Sequence, residues 1–150
     1  MKVARRGKFN TLVTRAGDTV VAELYGCTVV REPHLSSGKT YATLDVAQAR
    51  GSGVAVLRNV DVRIRREAAP EFSPLRPDGT LVIKIPPHVR CETREGAAAP
   101  QFTPCKGQVV DAVLRLGAFG AFGYCWLATR LKPHSPEDEV SGVECTDAGV

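Results

Sequence analysis

Gly107-Gln-Val-Val-Asp-Ala-Val-Leu-Arg-Leu-Gly117 followed by Ala118-Phe-Gly-Ala-Phe-Gly-Tyr-Cys-Trp-Leu-Ala-Thr-Arg-Leu-Lys132 reads as the two strands of one hairpin. Glycines at 117, 120 and 123 permit a tight connection, and they let another backbone or a nucleobase approach closely. With unbroken alternation, Phe122, Tyr124, Trp126, Arg130 and Lys132 share one face of the second strand. Gly123, Cys125, Leu127, Thr129 and Leu131 share the other. One face is therefore aromatic and basic, and the opposite face is mainly aliphatic.

Outward from the hairpin the same period of two recurs. Thr19 to Val30, Lys39 to Val46, Gly53 to Arg66 and Gly79 to Ile85 all read as strands, with Phe9 to Arg15 as an additional N-terminal one. In Gly53 to Arg66, Val54, Val56, Val60, Val62 and Ile64 are expected on one side, with Leu57, Asn59, Asp61, Arg63 and Arg65 on the other. Turn chemistry separates these runs at Ala16-Gly17-Asp18, Ser36-Ser37-Gly38, Gly51-Ser52-Gly53 and Pro77-Asp78-Gly79. A long loop spans Pro86 to Lys106, and only Asp45 to Arg50 offers a turn or two of helix.

Five to seven strands with little helix predict an all-β fold, a small Greek-key OB-fold-like barrel with long loops. The cysteine–tryptophan–cysteine pattern of an immunoglobulin-like sandwich is missing. A chain of 150 residues can bury roughly 70% of its unfolded surface, so a single core suffices without a metal or disulfide.

The net charge of +4 divides unevenly. Between Lys2 and Lys132 lie all 20 bases and 11 acids, a net +9, whereas Pro133 to Val150 carries Glu137, Asp138, Glu139, Glu144 and Asp147 and no base. The expected organisation is a barrel domain over residues 1–132, opened by a basic arm at 1–8 (Lys2, Arg5, Arg6, Lys8) and followed by a disordered acidic C-terminal tail at 133–150. A basic body with an acidic tail suits a protein that meets polyanions, or equally a domain whose tail only keeps it soluble.

The five cysteines are odd in number and contain no C-x-x-C, which fits a reducing intracellular setting. His88-x-x-Cys91 lacks a second pair, so no metal site is expected. The longest uncharged run, Leu116 to Thr129, is broken by glycines and too short to span a bilayer, so no membrane association is expected. Ser36-Ser37-Gly38-Lys39-Thr40 ends like a phosphate-binding loop, but Pro33 stands where the pattern requires glycine. His34, His88 and His134 each follow a proline and have no nucleophile or acid at a catalytic spacing. No enzymatic activity and no cofactor are expected.

Aromatic rings interleaved with cations match the needs of a single-stranded nucleic acid, because bases stack on the rings while Arg and Lys follow the phosphates. Arg63 and Arg65 on their strand, and Tyr41 beside Lys39 on another, add to the candidate groove. The plainer assignment for Trp126 is core filling, and for the isolated cations it is a solvated surface.

Leu81-Val-Ile-Lys-Ile-Pro86, then Lys106-Gly107, then Phe122-Gly-Tyr-Cys-Trp126 ending in Arg130-Leu-Lys-Pro133 resembles the single-stranded-DNA-binding proteins of large DNA viruses and, more distantly, those of bacteriophages. The resemblance extends over Thr19 to Pro133, with its recognisable words between Leu81 and Pro133. It implies an OB-fold barrel that coats exposed DNA strands without strong sequence preference during replication, recombination or repair, with no cofactor. The matching positions are Lys84, Tyr124, Trp126, Arg130 and Lys132. Phage members end in an aromatic residue that docks partners, whereas this sequence ends Asp147-Ala-Gly-Val150. The implied partner is single-stranded DNA, with RNA left open and replication proteins as further partners; a homodimer is a separate expectation. The implied location is a host nucleus or cytoplasm. The alternative expectation is a structural or assembly barrel that pairs with another protein chain through its C-terminal hairpin.

Overall fold

The computed structural model describes residues 1–92, 97–99 and 103–135. The acidic residues Glu137, Asp138, Glu139, Glu144 and Asp147, on which the tail assignment rests, lie outside the described residues. The elements run β1 (Lys2–Arg6), β2 (Phe9–Val13), β3 (Val21–Ser36), β4 (Lys39–Asp45), α1 (Gly53–Ala68), β5 (Thr80–Lys84), β6 (Arg90–Cys91), β7 (Val109–Phe119) and β8 (Tyr124–Pro133). The described residues are mostly strand, as the period of two predicts.

Five strands close into a barrel in the order β7, β3, β4, β5, β8 and back to β7. The β3–β4, β4–β5, β3–β7 and β7–β8 contacts are antiparallel, and β5 meets β8 in parallel. This is the Greek-key, OB-like closure expected from the sequence. The long strand β3 serves two partners, pairing first with β7 and then with β4. It bends at a register shift between Leu24 and Cys27, where Gly26 takes φ +77°, a value that disfavours any residue with a Cβ.

Alternate residues of each barrel strand fill the interior: Ala22, Leu24, Ala42, Leu44, Leu81, Ile83, Val110, Ala112, Leu114, Trp126, Ala128 and Leu131 are all buried. Small and large side chains alternate, as a narrow barrel requires.

Residues Gly53–Ala68 form a helix, which corrects the strand expected there. The alternating valines are misleading, because Val62 is exposed while Gly53, Leu57, Val60 and Ile64 make a buried stripe of helical period. Asp61 with Arg65 and Arg63 with Glu67 stand at i,i+4 on the outer surface. Ala69 ends the helix in the left-handed conformation and Pro70 follows, while Arg65 and Arg66 favour the negative end of the helix dipole. The stripe joins the barrel residues in one core. Gly53 is required where the helix begins, since a Cβ there would lie 2.4 Å from the Glu23 carbonyl oxygen.

Within the basic N-terminal segment, Lys2–Arg6 is an edge strand paired along its length with β2. Leu12 and Val13 are buried, and Thr11 donates to the Gly117 carbonyl, so the hairpin is fastened to the barrel. At the far end of the barrel, β8 continues to Pro133. Ser135 is buried, and His134 lies 2.7 Å from the Asp111 carboxylate.

Candidate nucleic-acid interface

The expected face of β8 is interrupted. Val113 pairs with Arg130 but Leu114 pairs with Ala128, so Thr129 is an extra residue that reverses the alternation. Tyr124, Trp126 and Ala128 turn inward before the bulge and Leu131 turns inward after it, leaving Arg130 exposed and Lys132 half-exposed. The aromatic and basic residues of this strand therefore do not share one surface. Trp126 is fully enclosed and cannot stack on a base while the barrel is closed. Tyr124 is also buried, and its hydroxyl donates to Asp61, which accepts from Ser73 as well. Burial and the Asp61 carboxylate push the Tyr124 phenol well above its ordinary range.

Arg130 donates to Glu92 at 2.7 and 2.9 Å, and Arg90 approaches the same carboxylate at 2.7 Å. The hydrogen bond from Arg130 outweighs burial and holds Glu92 below its usual value. Together with Lys132, Glu23, Tyr25 and Asp111, Arg130 lines a small cleft of mixed charge. Arg63 and Arg65 stand on the helix rather than on a strand and are bonded to Glu67 and Asp61 at 2.9 and 2.8 Å. Arg63 also donates to the Met1 carbonyl.

Lys39, Tyr41 and Lys84 are brought together. Tyr41 pairs with Lys84 across β4 and β5, Lys39 lies two residues before Tyr41 on the same face, and Lys84 pairs with Leu127 of β8. Arg115 of β7 pairs with the same Leu127, so it continues the row on the outer surface. Burial and the adjoining Lys39 ammonium lower the Lys84 pKa, and Arg115 adds to the repulsion. Among the described residues, no carboxylate pairs with Lys39, Lys84 or Arg115. Like charges held this close favour an anion between them.

Beside these cations lies a hollow of about 270 Å³ lined by Tyr41, Phe72, Arg76, Val82, Lys84 and Cys125, with Tyr124 at its inner wall. Phe72, which lines it, is 66% exposed, and Phe122, in the neighbouring turn, is 78% exposed. They are held there by backbone bonds, since the Phe72 amide donates to the Phe122 carbonyl and the Glu71 amide to the Ala121 carbonyl. Gly123 makes the approach possible, because a Cβ on it would sit 2.7 Å from the Phe72 carbonyl oxygen. Phe72, Arg76 and Arg115 were not among the expected site residues. An aromatic residue in the proline-flanked loop Pro70-Glu-Phe-Ser-Pro74 is the signal that points to the first. Cys125 faces this surface, and burial raises its thiol pKa despite the neighbouring cations.

Among the described residues there is no cluster of three or more His, Cys, Asp or Glu side chains suited to a metal, and no helix is long and apolar enough to cross a membrane. No family model matches the chain, and no curated protein or solved structure does.

Proposed function

We propose that this protein binds single-stranded DNA across the outer face of β4 and β5 without strong sequence preference, serving replication, recombination or repair. The observation that carries the reading is the cation row Lys39, Lys84 and Arg115, for which no carboxylate partner stands among the described residues, with the exposed ring of Phe72 lining the same hollow as Lys84. In OB-type barrels the second and third strands, with the loops joining strands one to two and four to five, form the oligonucleotide surface. The equivalent parts here are β4 and β5, the turn before Lys39 and the turn carrying Phe122. Phosphates would lie on the cations and bases on the rings, each stacked base contributing about 1–3 kcal/mol. The resemblance of Leu81–Pro133 to viral and phage strand binders, drawn on short sequence words, points to the same function.

Arg130, Lys132, Arg63 and Arg65 are not assigned to this surface, and Trp126 and Tyr124 support it from inside. The alternative, strand pairing with another protein through the C-terminal hairpin, is disfavoured by the barrel closure. Strands β7 and β8 have neighbours on both sides and offer no free edge.

Titration of a labelled oligothymidine at low salt, with single-stranded RNA and duplex DNA as controls, tests the proposal. Saturable binding of the single strand, weak binding of the duplex and steep loss with salt are expected. Absence of oligothymidine binding at low salt would overturn it.

A further inference from the structure

The cation row does not stop at Arg115. A second hollow of about 260 Å³, lined by Arg6, Phe9, Thr11, Arg115, Gly117 and Ala118, opens on the other side of this arginine. Arg6 and Phe9 are direct cross-strand partners at the tip of the β1–β2 hairpin, and Phe9 is 62% exposed. The two hollows are joined by packed groups rather than by open solvent. Thr11 donates to the Gly117 carbonyl at 3.0 Å, and a Cβ on Gly117 would lie 2.8 Å from the Cys125 sulfur, which itself lines the first hollow. Gly117 thus keeps the floor between them low.

We propose that the β1–β2 hairpin is the second half of the strand-binding site. A strand lying over Tyr41 and Phe72 crosses Lys84 and Arg115 and continues over Phe9 and Arg6. The inference rests on the reading of the β4–β5 face given above and extends it to a longer footprint. From β4 to β2 the path crosses β5, β8 and β7, about 19 Å of sheet at ordinary strand spacing. That length calls for several nucleotides. The cations on β1 would otherwise serve only to keep an open sheet edge from pairing with other chains, but an exposed aromatic ring beside Arg6 does not serve that purpose. Charge and ring together suit a phosphate and a base.

The test compares oligothymidines of about 4 and about 16 nucleotides, the ends of the range one OB-type barrel covers, binding to the whole chain and to its Arg6→Ala/Phe9→Ala variant. Both substituted side chains are exposed. The natural chain is expected to bind the long oligomer more tightly, and the variant to lose roughly tenfold on the long oligomer with the short one unchanged. Its salt slope with the long oligomer should also fall by about 0.7, one phosphate contact. Equal affinity of both proteins for the long oligomer overturns the inference. A loss of equal size on both lengths also overturns it, since the hairpin would then support the barrel rather than hold the distal strand. If the natural chain binds neither oligomer, the strand-binding reading itself falls and takes this inference with it.

Discussion

The Tyr124 hydroxyl donates a hydrogen bond to Asp61, 63 residues earlier in the chain, and so ties the last barrel strand to the helix. Asp61 also accepts from Ser73 in the loop that presents Phe72, and from Arg65 one helical turn on. One carboxylate therefore fixes the inner wall and one rim of the candidate groove.

Asp61→Asn is expected to cost about 2 kcal/mol of folding stability, the usual scale for hydrogen bonds to a charged partner. Burial opposes ionisation of Asp61, but the bonds from Ser73, Tyr124 and Arg65 outweigh it and lower its pKa. A carboxyl lowered in the folded state stabilises the protein fully above its unfolded pKa of about 3.9, and that contribution fades as pH falls through the folded value. Denaturant unfolding across the acid range should show a smaller loss on acidification for the Asn variant than for the natural chain.

Trp126 is sealed inside the barrel, so its fluorescence should resist iodide quenching and change little when oligothymidine saturates the protein. Trp126→Ala is expected to remove about 3–5 kcal/mol of stability through the cavity it leaves. Strong quenching by a bound oligomer would mean that the barrel opens to expose the indole.

Arg63→Ala and Arg65→Ala should leave oligothymidine affinity unchanged. Each removes an i,i+4 ion pair with about 0.3–0.5 kcal/mol of helix stabilisation. Chemical denaturation and binding titrations on the same variants separate the two effects.

Gly53→Ala should be destabilising although the substitution normally favours helix. A Cβ at this position meets the Glu23 backbone, at 2.4 Å from its carbonyl oxygen and 2.6 Å from its nitrogen, so the helix must move off β3. A cost of about 1–3 kcal/mol, the range for overpacked sites, is expected in thermal or denaturant unfolding.

The barrel was legible because its strands bury one face, and alternation records that directly in Leu81 to Ile85 and Val110 to Leu116. The helix was hidden by β-branched residues at two-residue spacing, and its signature lay in the glycine, leucine, valine and isoleucine at 53, 57, 60 and 64. Pairing of Asp61 with Arg65 and Arg63 with Glu67 was the supporting sign. At the candidate site, Lys39 and Tyr41 could be named from a strand face, whereas Lys84 came only with the resemblance to viral strand binders. Arg130 and Lys132 were misplaced by a single extra residue at Thr129, which reverses a face without altering composition. Phe72 and Arg115 join the surface through contacts distant in sequence, which local periodicity does not encode.

The salt dependence of oligothymidine binding by the Lys39→Gln/Lys84→Gln/Arg115→Gln variant tests the central claim most directly. Each phosphate contact on a single strand contributes about 0.7 to the slope of log affinity against log salt, so loss of all three cations should lower the slope by about 2 and weaken low-salt binding sharply. A variant that folds normally and keeps the slope and affinity of the natural chain would contradict the assignment of this face to the DNA strand.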